Sequence, residues 1–163
     1  MVKRKTVSHR GARRSGRTAA ALPDVPAIRY IESSALVAAL LEGDASAKAS
    51  IRALGQRVTS AITVAETSRA VLRAHLSGSI TAQQQRAALR TLQRFARRCH
   101  IVSVTDAILA HAGRPFPVEP VRTLDAIHLA TAAALGEPPA LVIVVSRDRR
   151  VCDNATALGH PVE

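Results

Sequence analysis

The stretch AIRYIESSALVAALLEG, residues 27–43, decides the fold. Its first five residues are apolar but for Arg29 and include β-branched and aromatic side chains, which reads as a short buried strand. Glu32 follows at once, then Ser33 and Ser34, either of which can cap a helix by accepting from a free backbone N–H. The apolar run after them has helical character, and Gly43 is placed to end it. The unit is a strand running straight into a helix, with an acid at the junction. That acid must be solvated, paired, or holding something.

The alternation continues along the chain. A short helix over 45–54 ends near Gly55, and RVTSA, residues 57–61, reads as a second strand. Residues 63–78 form a helix on the spacing of Val64, Val71 and Leu72. Thr81 opens another over 81–98, whose stripe of Ala88, Leu92 and Phe95 leaves its Gln and Arg residues as a solvated face. HIVSV at 100–104 is a third strand, and 105–112 a short helix ended by Gly113. After the proline-held loop RPFPVEP come a strong helix over 123–136, the apolar strand ALVIVV at 140–145 and a helix over 148–159. HPVE, 160–163, is a candidate for a last short strand. Strands alternating with helices predict an α/β fold, a central parallel sheet with helices on both faces. In such sheets ligands bind beyond the C-terminal ends of the strands.

Composition narrows the function. A chain of 163 residues can bury one core without staples. One Tyr, two Phe and no Trp argue against an RNA binder that relies on aromatic stacking. Of the net charge of +11, residues 1–22 carry +7 with no acid, leaving 16 bases and 12 acids elsewhere. Residues 1–24 are therefore expected to be a basic, disordered tail, and residues 25–163 the folded domain. The tail is either a nucleic-acid-binding arm or an upstream extension without function. Cys99 and Cys152 make no CxxC pair or zinc spacing and are expected as thiols in a reducing cytosol. No apolar run approaches the roughly 20 residues of a membrane span.

Four acids stand out by position. Glu32 follows the first strand, Glu66 lies a turn into the helix after the second, Asp125 opens the helix at 123, and Asp148 follows the strongest strand. All four can reach one C-terminal edge. Clustered carboxylates repel, and a hard divalent ion such as magnesium or manganese relieves the repulsion. Such a site holds phosphate oxygens and activates water for in-line attack. Each acid also has a plainer reading: a carboxylate in a first helical turn favours the helix dipole, and Asp148 can serve only as a cap.

In series, YIESSALVAALL, VTSAITVAET, RTLDAIHLATAAALG and VIVVSRDRRV resemble the PIN domain, and within it the VapC-type toxins of bacterial toxin–antitoxin pairs. The resemblance spans about residues 27–163. It implies a three-layer α/β/α sandwich and an Mg²⁺- or Mn²⁺-dependent endoribonuclease acting on tRNA, rRNA or mRNA. It also implies a homodimer inhibited by a small VapB-type antitoxin. By motif, Glu66 would bind metal and orient water, Asp125 would be a principal ligand and Asp148 a further one.

Glu32 departs from the Asp usual in the family. Its extra methylene moves the carboxylate by roughly 1.3–1.5 Å, which matters to an ion that wants octahedral geometry at about 2.0–2.1 Å. The rival readings are therefore a PIN-fold RNA- or antitoxin-binding protein with weakened or lost catalysis and a protein that only binds antitoxin. Arg122, Arg147, Arg149 and Arg150 are candidates for RNA backbone contact or for a solvated helix start. His128 is expected to pack or hydrogen-bond rather than ligate.

Overall fold

A computed structural model of the chain describes residues 28–163. The basic segment 1–24 and the expected domain start at 25 lie outside the described residues. Strand β1 (Ile28–Ile31) sits inside the sheet, paired in parallel with β2 (Gln56–Ser60) on one side and β4 (Val142–Val145) on the other. Strand β3 (His100–Val102) lies beyond β2, giving the order β3-β2-β1-β4. Parallel pairing demands a crossover between strands, and helices supply each one.

Those helices are α1 (Ser33–Val37), α2 (Ala45–Arg52), α3 (Ala61–Leu76), α4 (Ala82–Ala96), α5 (Asp106–Ala112), α6 (Thr123–Ala133) and α7 (Arg149–Ala157). Five residues of π-helix, Ala38–Glu42, extend α1 to Gly43, whose φ of 73° ends the run in the left-handed region. The capping box at α4 is complete: Gln84 N–H donates to Thr81 Oγ1, and Thr81 N–H to Gln84 Oε1. A 3₁₀ turn, Pro139–Leu141, leads into β4.

Neighbouring residues of a strand point to opposite faces, and here both faces are buried. Tyr30, Val58 and Val144 share one core with Ile108 of α5, Leu129 of α6 and Val151 of α7. Ile31 and Val145 share another with Leu36 of α1 and Leu92 of α4. The result is the predicted three-layer sandwich.

Differences from the expected elements are small and have local causes. Ser60 ends β2 and stands at the N-cap of α3, which starts at Ala61 and not at 63. Residues 160–163 form a single parallel bridge, Val162 with Val144, and no full strand. Glu163 nevertheless holds this edge: its N–H donates to the Val144 carbonyl, and its carboxylate pairs with the buried Arg29 guanidinium. The 114–120 loop is fastened by more than its prolines. Asn154 exchanges two hydrogen bonds with the Val118 backbone, and Glu119 accepts from the Phe116 and Val121 N–H groups. Cys99 and Cys152 are free and only half-buried, and burial pushes the Cys99 thiol up to about 12.

The core account predicts a contrast. Leu129→Ala should cost about 2–5 kcal/mol in urea unfolding, whereas Leu54→Ala at an exposed site should stay within about 0.5 kcal/mol.

Candidate metal centre

The carboxyl ends of β1 and β4 lie side by side, joined across the turn by a bond from Glu32 N–H to the Val145 carbonyl. Two serines then lock the junction around Glu32. Its Oε2 accepts from Ser34 N–H at 3.0 Å, from the Ser146 hydroxyl at 2.9 Å, and from the Ser34 hydroxyl. Its Oε1 accepts from the Ser33 hydroxyl at 2.6 Å. Each hydroxyl has one proton to give, so Ser34 and Ser146 serve the next turn as acceptors. Ser34 Oγ takes the N–H groups of Arg147 and Asp148, and Ser146 Oγ also takes that of Asp148.

This overturns the expectation that Ser33 or Ser34 caps α1. Glu32 is the cap, in extended backbone conformation, and the two serines are the first helical residues. The carboxylate folds back onto the Ser34 N–H, while Ser146 supplies a donor from the far side of the junction. At 3% exposure Glu32 is not a solvated charge.

Glu66 comes from α3 and His128 from α6. His128 Nε2 lies 2.7 Å from Glu66 Oε2 and 3.7 Å from Glu32 Oε1. One ligand atom from each of these three residues falls within 4.8 Å of the others. Asp125 and Asp148 are not part of that tight group. Asp125 lies one turn before His128 on α6, and its Oδ2 is buried with no hydrogen-bond partner among the described residues. Burial raises its carboxyl above the usual range, and the charges of Asp148 and Glu32 raise it further. Arg122 and His128 act in the opposite direction. Asp148 caps α7, its Oδ1 accepting from Arg150 N–H at 2.8 Å and Val151 N–H at 3.4 Å.

The four basic candidates separate. Arg147 is already engaged, with Nε on Asp44 and NH2 on Ser46, and it holds the Asp44 carboxyl well below the usual range. Arg122, Arg149 and Arg150 are exposed near the acidic edge. Reading along the chain missed Tyr30 and Ser146 as parts of the site. Ser146 carried a signal, since it directly follows the strongest strand, two residues before Asp148. Tyr30 carried none beyond being the aromatic residue in its strand.

The donor set is mostly carboxylate oxygen, which suits a hard divalent cation. The orphaned Asp125 Oδ2 points the same way, because buried polar atoms ordinarily have partners. A separate cleft of about 410 Å³ opens elsewhere, with Leu36, Leu40, Ile51 and Phe95 along it and arginines at its rim. It contains none of the four acids.

Two acids of one centre should therefore respond oppositely to removal. Glu32→Ala strips four donors of their acceptor and should cost about 1–3 kcal/mol without added metal. Asp125→Asn should instead raise the Tm of the metal-free protein at neutral pH. The Asp125 pKa is raised by folding, so the native state loses stability as pH climbs through its ionisation and keeps it in acid. The Asn gain should fade as pH falls toward about 4. Thermal melts across pH check both, and a destabilised Asp125→Asn at neutral pH would contradict the crowding.

The PIN domain family profile matches residues 29–156. Ribonuclease VapC35 of Mycobacterium tuberculosis is 34% identical over 137 residues, covering 82% of this chain and 93% of that protein. Ribonuclease VapC46 of the same organism is 37% identical over 135 residues, covering 82% and 94%. Among solved structures, VapBC2 from Rickettsia felis, bound to a DNA fragment from its promoter, aligns with a TM-score of 0.56 at 14% identity. That alignment covers 83% of this chain and 97% of the other, and it is a likeness of fold. With the profile spanning most of the described residues and two VapC ribonucleases related across four-fifths of the chain, this protein belongs to the PIN-domain family, on its VapC branch.

Proposed function

We propose that this chain is a metal-dependent endoribonuclease of toxin type, working as one half of a toxin–antitoxin pair on RNA. The observation that carries the reading is the buried, unpartnered Asp125 Oδ2 amid acids that raise its pKa. An acid in such surroundings either keeps a proton or meets a cation, and the carboxylates gathered around this one favour the cation. In this proposal Asp125 is the principal ligand, Glu66 and Glu32 Oε1 face the same ion, and Asp148 completes the acidic wall. The ion is Mg²⁺ or Mn²⁺.

When bound, that ion supplies positive charge to phosphate oxygens and lowers the pKa of a bound water. The chain's own groups do the rest. Glu66 orients the attacking water and accepts its proton. Glu32 holds the two turns at a fixed separation through the serines, and so keeps Asp148 beside Asp125. The exposed Arg122, Arg149 and Arg150 take RNA phosphates, contacts that salt should weaken. The apolar cleft with its arginine rim fits an antitoxin segment that carries both apolar and acidic residues. A homodimer and work in the cytosol belong to the same proposal; among the described residues no helix is long and apolar enough to cross a membrane.

The test is cleavage of total RNA by the purified protein. Cutting should require Mg²⁺ or Mn²⁺, stop with EDTA and be lost in Asp125→Asn. Cleavage unchanged by both would defeat the proposal. One observation favours a second reading, a PIN-fold RNA- or antitoxin-binding protein with weakened or lost catalysis: three donors already occupy Glu32 Oε2. With catalysis lost, that reading expects metal-independent, salt-sensitive RNA binding with no cleavage, and no gain of cleavage in Glu32→Asp.

A further inference from the structure

His128 and Tyr30 are buried polar groups that the reading above leaves without a role, at 1% and 0% exposure. They touch. Tyr30 Oη lies 2.9 Å from His128 Nδ1, with the rings edge to face at 70°. On its other side the imidazole meets Glu66 at 2.7 Å and stands 3.7 Å from Glu32. One ring therefore links β1, α3 and α6 at the point where the acids converge.

Hydrogen-bond chemistry assigns the protons. An ionised carboxylate only accepts, so the 2.7 Å contact requires a proton on Nε2. Burial holds the Tyr30 phenol far above its usual range, with the Glu32 and Glu66 charges adding to the effect, so the phenol keeps its proton and can donate it. Nδ1 is then its acceptor. A nitrogen that carries a proton has no lone pair for a cation.

We propose that His128 is a positioning residue of the acidic centre: its Nε2–H, fixed by the Tyr30 O–H on Nδ1, holds Glu66 beside Glu32, and it does not itself ligate the ion. The proposal rests on the reading of these acids as a cation site. Its physical effect is to bring positive edge potential to crowded carboxylates without filling a coordination position. In metal sites, partners that orient the ligands typically carry 10–100-fold in metal affinity.

The test begins with long-range ¹H–¹⁵N NMR of the full-length, metal-free protein at mildly alkaline pH. His128 should carry its proton on Nε2 and none on Nδ1, and the Nε2–H should persist at saturating Mg²⁺. A proton on Nδ1 alone, on both nitrogens, or loss of the Nε2–H with Mg²⁺ would overturn the assignment. In Tyr30→Phe the Nδ1 acceptor loses its donor, so its ¹⁵N shift should move toward that of an unbonded imine nitrogen while Nε2 keeps its proton; an unchanged spectrum would remove Tyr30 from the device. Mn²⁺ binding followed by electron paramagnetic resonance gives the second readout. His128→Leu should weaken it about tenfold, while His128→Gln, which keeps an N–H toward Glu66, should recover most of the loss. Equal affinity in all three proteins would overturn the positioning role. If His128→Leu fails to fold, the wild-type tautomer still decides. The predicted tautomer and Mn²⁺ affinities in a protein that cuts no RNA would uphold this inference and defeat the nuclease reading alone.

Discussion

The hydrogen bonds from the Ser34 and Ser146 hydroxyls to Glu32 tie together the two turns on which the acidic edge depends. Without them, β1 and β4 would still be adjacent through the sheet, but their exits would be free to splay. The serines turn one carboxylate into the common acceptor of two chain segments. They also pass the turn's own N–H groups into the same network, so Asp148 is located by Ser34 before it caps α7. A surface ion pair could not do this, because water would compete for every partner. At a buried junction, leaving any of these donors unmade is expensive.

This arrangement gives the family's altered position a different meaning. The concern at Glu32 is reach: a longer side chain moves the oxygens. Here the side chain folds back to cap α1, and three donors fix one oxygen. Glu32 is thus chiefly a fastener, with Oε1 turned toward His128 and Glu66. Asp125 has the opposite character. It gains little from its surroundings, and its burial and neighbouring charges oppose ionisation. One acid stabilises the fold and the other loads it, which is a common division at sites where function opposes stability.

The elements were legible because each is written locally. Apolar strands, glycine stops and the Thr81 box need only a window of a few residues, and the acids could be placed because Glu32 and Asp148 fall just after strands and Glu66 and Asp125 near the starts of helices. Propensity favours serine as the cap at α1, whereas the actual cap is Glu32, whose carboxylate is also held by Ser146, 114 positions away. Arg147 looked available beside Asp148 until Asp44, 103 positions away, accounted for its guanidinium. The Tyr30–His128 contact spans 98 positions and involves residue types that ordinarily fill cores. No periodicity announces such pairs; only the packed layers bring them together.

Tyr30 has one more consequence. It is the single tyrosine of a chain with no tryptophan, so nearly all of the protein's near-ultraviolet absorption and emission arises from one ring. That ring is hydrogen-bonded to His128 and sits one bridge away from the acids. The protein therefore carries a built-in optical reporter at its centre. A change at the site that reaches this ring registers in its intrinsic light without any label, against only the weak absorption of Phe95 and Phe116.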